Sequence, residues 1–227
     1  MNANAKKIIH SITPFTLLDY PDKTACILWF AGCNMKCSYC YNPEIVFGKA
    51  VFSIPETLDF LAKRKKLLDA VVFSGGECLL HKESLDLLRA IKEMGFLVKV
   101  DTNGSMPHRL NEALKLNFID YIALDFKATK QKTKAITKAN FYHHFFECLS
   151  LIQKNSVPYE VRTTIHSDLL LENDIAEMIH LLENNGYNGS YFLQHFRNNS
   201  ITLAPLQYSS SIDYKHLSTA KIKVCMR

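Results

Sequence analysis

Long apolar runs are missing from this sequence: Ala25–Ala31, the run that leads into its cysteines, falls far short of the roughly 20 residues a membrane-spanning helix needs. No transmembrane segment is expected. Charge of one sign is also scarce, because a formal net charge of +5 is too weak to argue for nucleic-acid binding without a motif, while remaining compatible with an acidic protein partner. No short-period repeat or low-complexity linker divides the chain. With 48% hydrophobic residues among 227, one domain with a proper core is the expectation. The first residues, Met1–Lys7, lack the apolar stretch of a secretory signal. Seven cysteines, an odd number without a signal peptide, argue for a reducing, cytoplasmic location.

Three of those cysteines stand together in Cys33-Asn34-Met35-Lys36-Cys37-Ser38-Tyr39-Cys40, spaced C-x3-C-x2-C and entered through Ala31-Gly32. Three adjacent thiols cannot pair off without leaving one over. A four-iron cluster normally takes four cysteinyl ligands, so a triplet would leave one iron open to a molecule that is not protein. An electron carrier has no use for an open position, whereas a catalyst does. A structural zinc site remains an alternative, but such sites usually add a second pair, and Cys26, Cys78, Cys148 and Cys225 are solitary. Chance clustering is the other.

The rest of the chain reads as alternating strands and helices. Ile8–Leu18 suggests a short leading hairpin, with Pro14 and Asp19-Tyr20-Pro21-Asp22 as turn signals. Thr24–Phe30 has the continuous apolar character of a strand covered on both faces. It feeds directly into the cysteine loop. Ser53-Ile54-Pro55-Glu56 is a capping box opening a helix to about Lys66. Further strands are predicted at Ala70–Ser74, Leu97–Asp101, Tyr121–Asp125, Tyr159–Ile165 and Ser190–His195. Between them fall a helical stripe of Leu87, Leu88, Ile91 and Met94, a helix over Pro107–Leu116, and stripes at Phe141, Phe145, Leu149, Ile152 and at Ile175, Met178, Ile179, Leu182. Six strands alternating with helices imply an α/β fold, an open partial (β/α)6 barrel rather than a closed eight-stranded one. The expected organisation is a hairpin and lead-in over 1–23, the barrel over 24–200, and a polar tail over 201–227 that caps the barrel or frays. The lysine-rich run Lys127–Lys138 reads as a solvated loop, with a partner-facing loop as the alternative. His143 and His144 read as surface residues.

Each predicted strand ends in polar residues or glycines, the place where barrels and doubly wound folds put their chemistry. The strand ends are Ser74-Gly75-Gly76-Glu77, Asp101-Thr102-Asn103-Gly104, Ala123-Leu124-Asp125-Phe126-Lys127, Val161-Arg162-Thr163-Thr164 and Leu193-Gln194-His195-Phe196. Together with the cysteine loop, whose Tyr39 precedes the third cysteine, they resemble the radical S-adenosylmethionine enzymes. The resemblance implies a 4Fe-4S cluster on Cys33, Cys37 and Cys40. Its open iron would bind the amino and carboxylate groups of S-adenosylmethionine, and reductive cleavage would yield methionine and a hydrogen-abstracting 5′-deoxyadenosyl radical.

It further implies cofactor contacts from Tyr39, from Asn42 near the sulfonium, and from the backbone of Gly75-Gly76-Glu77, where Cys78 replaces the proline common in the family. Asp101, Asn103, Asp125 and Lys127 match the subgroup that activates glycyl radical enzymes, typified by pyruvate formate-lyase activating enzyme. There the two aspartates, with the carbonyls at Thr102 and Ala123, surround a monovalent cation. Arg162 and His195 would seat the methionine carboxylate and the ribose or adenine, arginine offering a planar two-pronged donor. Thr13–Pro21 and Tyr41-Asn42-Pro43-Glu44 resemble the activating proteins of anaerobic ribonucleoside-triphosphate reductase, over roughly Ile12–Phe196. The implied protein substrate is such a glycyl radical enzyme, with flavodoxin or ferredoxin as electron donor. A compact small-molecule enzyme of the 7-carboxy-7-deazaguanine synthase kind is the enzymatic alternative, and a non-catalytic iron–sulfur or zinc module the alternative from another class.

Overall fold

The structure, a computed structural model, describes residues 6–227; residues 1–5 of the expected lead-in lie outside them. In chain order the elements are β1 (Lys7–Thr16), β2 (Ala25–Phe30), α1 (Pro43–Phe47), β3 (Phe52–Ser53), α2 (Ile54–Ala62), β4 (Ala70–Gly75), α3 (Ser84–Glu93), β5 (Leu97–Thr102), α4 (Pro107–Lys115) and β6 (Tyr121–Asp125). There follow α5 (Lys130–Thr137), α6 (Tyr142–Lys154), β7 (Tyr159–Ile165), α7 (Glu172–Asn184), β8 (Gly189–His195) and β9 (Ile222–Met226). Among the described residues nine strands form one open sheet in the order β3-β1-β2-β4-β5-β6-β7-β8-β9. The six predicted parallel strands are β2, β4, β5, β6, β7 and β8, neighbours in register such as Ala25 with Ala70 and Asp125 with Arg162.

Three sequence expectations change. The leading segment is not a hairpin by itself; β1 is a single strand whose hairpin partner is β2, because the polar cluster at residues 19–23 makes the turn between them. The tail does not fray: Ile222 and Val224 bury their side chains and β9 extends the parallel sheet beside β8. The lysine run is not a loop, for Thr133, Ile136 and Thr137 fall on one face of α5 and are buried.

Strand side chains alternate between faces, and here the two faces differ in kind. Cys26, Leu28 and Phe30, with Val71, Phe73, Val98, Val100, Ile122 and Leu124, are fully buried in the core shared with the helices. On the opposite face Ala25, Ile27, Ala70 and Val72 form a small apolar cluster with Tyr20. The same face of the next strands carries Lys99, Asp101, Asp125, Glu160 and Arg162. The sheet thus turns grease toward its helices and charge toward its own interior.

The capping box read from the sequence closes as expected. Ser53 Oγ donates to Glu56 Oε2 at 2.6 Å, and the Ser53 amide donates to the same carboxylate at 2.8 Å. Ser53→Ala is expected to destabilise the protein by about 1 kcal/mol, the usual worth of such a cap, read as a lowered urea midpoint with an unchanged slope.

Candidate active site

The C-terminal ends of the parallel strands enclose a cleft of about 340 Å³. Cys33, Cys37 and Cys40 line it together with Tyr39, Asn42, Gly75, Gly76, Asp101, Asn103, Asp125, Lys127, Arg162 and His195. Thirteen residues singled out from the sequence therefore meet in one hollow. Glu77, Thr102 and Ala123 do not: all three are buried beneath it.

Backbone contacts fix the cysteine loop. The Gly76 amide donates to the Phe30 carbonyl at 2.9 Å and the Glu77 amide to the Gly32 carbonyl at 3.0 Å, so the end of β4 lies directly under the loop's entry. A Cβ on Gly76 would stand 1.8 Å from the Gly32 oxygen, and Gly75 holds a φ of +109° against the Phe30 backbone. Only glycine permits this approach. On its far side the loop is held by α5, whose Thr137 and Ile136 carbonyls accept from the amides of Lys36 and Ser38 at 2.8 and 2.9 Å. A third clamp comes from residues 203–204, whose amides donate to the carbonyls of Cys40 and Ser38.

Glu77 braces these parts from below. Its fully buried carboxylate accepts from the amides of Asn103 (2.8 Å) and Leu79 (3.1 Å) and from the Thr102 hydroxyl (2.8 Å), tying the end of β4 to the end of β5. Burial pushes this carboxyl up to about 7 despite those donors. Asn103, so positioned, donates through Nδ2 to Asn34 within the cysteine loop at 3.1 Å.

The wall opposite the cysteines is an ion ladder. Lys99 Nζ meets Asp101 Oδ1 at 2.6 Å, Arg162 spans from Asp101 (3.6 Å) to Asp125 (2.9 Å), and Lys127 closes on Asp125 at 3.0 Å. Ser74 donates to Asp101 at 3.1 Å. Burial alone would raise the Asp125 carboxyl, but Arg162 and Lys127 outweigh it and hold it below the usual range. The Lys127 ammonium is pushed the other way, well above its ordinary value, because Asp125 overcomes its desolvation. Lys99, absent from the sequence reading, was within reach of it: two residues before Asp101 on a strand means the same face. Asp19, Trp29, Thr164 and Gln194 also line the cleft and were missed as candidates.

The donor set fits a cluster bound by three cysteines. Burial pushes the Cys37 thiol up to about 12 and raises that of Cys33, so these thiols stay protonated until a metal takes them as thiolates. Beside them the Tyr39 hydroxyl is buried in the cleft wall without a hydrogen-bond partner, the kind of orphaned donor that a bound molecule satisfies. Of the remaining four cysteines three are buried, and Cys225 on β9 is partly exposed. Cys78 is fully buried and donates weakly to the Asp101 carbonyl, Cys148 does so to the Gly104 carbonyl, and Cys26 lies in the core.

Two outcomes follow from this geometry. Gly76→Ala is expected to displace the cysteine loop and abolish iron loading while the sheet still folds, checked by iron content alongside circular dichroism. Asp125→Asn is expected to lower stability at neutral pH. Because the folded state depresses the Asp125 carboxyl, its contribution is complete above the ordinary aspartate range and is lost as pH falls below about 4. The gap between wild type and variant in urea midpoint therefore closes toward acid.

Comparison with known proteins bears on the same features. The Radical SAM superfamily model matches residues 27–183. A protein of Methanocaldococcus jannaschii, provisionally named glycyl-radical enzyme activating enzyme MJ1227, is 35% identical over 183 residues, covering 76% of this chain and 74% of that one. Pyruvate formate-lyase-activating enzyme of Clostridium pasteurianum is 37% identical over 126 residues, 52% of each chain. The chain thus spans about three quarters of the first relative and about half of the second. Among solved structures, Streptococcus suis SuiB bound to S-adenosylmethionine aligns with a TM-score of 0.67 at 12% identity, covering 86% of this chain and 48% of that one, a likeness of fold. The chain belongs to the radical SAM superfamily, enzymes built around a four-iron cluster and S-adenosylmethionine.

Proposed function

We propose that this chain is a radical S-adenosylmethionine activase that generates a glycyl radical on a partner enzyme, specifically an anaerobic ribonucleoside-triphosphate reductase. The observation that carries the reading is the convergence of three thiols, the Gly75-Gly76 backbone and the Asp101–Arg162–Asp125–Lys127 ladder on one cleft. The names of the two relatives support the protein substrate, and Thr13–Pro21 supports the reductase. A cluster held by Cys33, Cys37 and Cys40 would supply the electron for reductive cleavage of S-adenosylmethionine, the chemistry from which hydrogen abstraction at a substrate glycine would follow.

The chain's own residues bind and orient. Cys33, Cys37 and Cys40 hold the cluster. Lys127 and Arg162 present cations toward a carboxylate, and the glycines of β4 expose backbone groups to an amino group. Tyr39, Asn42, Asn103 and His195 line the remainder, toward the sulfonium and nucleoside. A monovalent cation beside Asp101 and Asp125 would share that place with the Arg162 guanidinium, which already offsets their repulsion. All seven cysteines are free, which suits a reducing cytoplasm. No described helix is long and apolar enough to cross a membrane. Flavodoxin or ferredoxin would serve as the electron donor.

Anaerobic reconstitution, reduction with dithionite and assay for 5′-deoxyadenosine test the class. Wild type is expected to form it, and Cys33→Ala, Cys37→Ala and Cys40→Ala to lose it entirely, with Cys148→Ala retaining it. Deuterium placed on the partner's glycine is expected in 5′-deoxyadenosine, with a glycyl doublet in electron paramagnetic resonance. Cofactor cleavage without transfer of the label would refute the activase reading and leave a small-molecule substrate.

A further inference from the structure

Lys130, Lys134 and Lys138 recur every fourth residue and are exposed along α5 and its C-cap. Like charges at that spacing are neighbours on a helix and repel. The lysines on either side of this row have partners inside the protein: Lys127 pairs with Asp125, and Lys132 with Asp174 at 2.6 Å. Among the described residues the three in the row form no ion pair; the Lys138 ammonium turns back only to the Ala135 carbonyl. Lysines near a helix C-terminus gain from the backbone dipole, but Lys130 sits in the first turn, where that field opposes it. Helix stability therefore does not account for the row.

The surroundings sharpen the charge. Around the cysteine loop the β4 turn keeps Glu77 fully buried and α1 exposes one carboxylate, Glu44, while three segments carry no aspartate or glutamate: the loop with its strand (23–43), the α5 segment (126–146) and the segment 184–212 that contributes residues 203–204. The position is equally specific. The carbonyls of Ile136 and Thr137 accept from the amides on both sides of Cys37, so the C-terminal end of the row, at Lys138, adjoins the loop that would hold the cluster, and Lys130 stands about 12 Å further along the helix axis. Lys130, Lys134 and Lys138 do not line the cleft. A protein seated on them leaves the cleft to cofactor and substrate.

We propose that the exposed lysine row of α5 is the docking face for an acidic one-electron carrier protein, which reduces the cluster through this wall while the cleft stays open. The proposal rests on the radical S-adenosylmethionine reading for the electron's destination. In the step the carrier loses one electron and the cluster gains it; no bond forms or breaks and no proton moves.

The test compares K130E/K134E/K138E with K63E/K65E/K66E, which reverses a second exposed basic cluster at the other end of the sheet, just before β4. The probe is oxidised flavodoxin, an acidic carrier, titrated calorimetrically against iron-free protein. Wild type is expected to bind it, and more weakly at 300 mM than at 25 mM salt. The α5 triple is expected to lose at least tenfold in affinity, the other triple less than twofold. The neutral K130Q/K134Q/K138Q variant, gentler on folding, is expected to fall between. In loaded enzyme, flavodoxin-driven formation of 5′-deoxyadenosine should fall in parallel while the dithionite-driven rate is unchanged. Equal affinity of wild type and the α5 triple, an equal loss in the control triple, or equally tight binding of the basic carrier cytochrome c would overturn the docking face. Failure of wild type to cleave the cofactor with dithionite would instead strike the enzymatic reading, and the calorimetric result would stand apart from it.

Discussion

The structure depends on a backbone-to-backbone contact: the end of β4 pressed against the entry of the cysteine loop, with Gly76 where any Cβ would overlap the Gly32 oxygen. A catalytic loop of eight residues has little core of its own, and unpaired buried amides would be costly. Here its polar backbone groups are assigned to three separate elements: the β4 turn, the α5 C-terminus and residues 203–204. The backbone that carries the three thiols is thus fixed by the rest of the fold, which lowers the ordering cost of binding a ligand there.

The interior ladder answers a different physical problem. Two aspartates on adjacent strands facing a barrel interior would repel each other, and burial would neutralise them. Lys99, Arg162 and Lys127 offset both charges with protein cations, and Arg162 reaches them in succession. The charged side chains of this wall are therefore already ordered against one another. The apolar face of the same strands makes this tolerable, since the helices bury Leu28, Phe73, Val100 and Leu124 on the other side and supply the driving force for folding.

Much of this was legible in the sequence. Apolar runs pointed to six parallel strands, the glycines and polar residues at their ends to eight members of the cleft, and the cysteine loop with Asn42 to five more. What escaped has physical causes. The α5 helix hid because five lysines in twelve residues mask a buried face of only three side chains. The ninth strand hid because β9 alternates, Ile222 and Val224 inward with Lys223 exposed, over too few residues to stand out from a polar tail. The resemblance speaks only for the backbone at Glu77; the bracing role of its side chain, which accepts from three donors beneath the floor, depends on β5 and escaped. Long-range pairings such as Lys36 with Thr137 leave no trace in local pattern.

One contact at the sheet's far edge reaches inward. Arg227 stacks over the Phe192 ring at 3.5 Å and grips Glu160 at 3.0 Å, and Glu160 stands 4.0 Å from Arg162. Arg227 is thereby two contacts from the ion ladder. A disturbance of the outer strand would therefore reach Arg162 through a single carboxylate, coupling the rim of the sheet to its inward-facing charges.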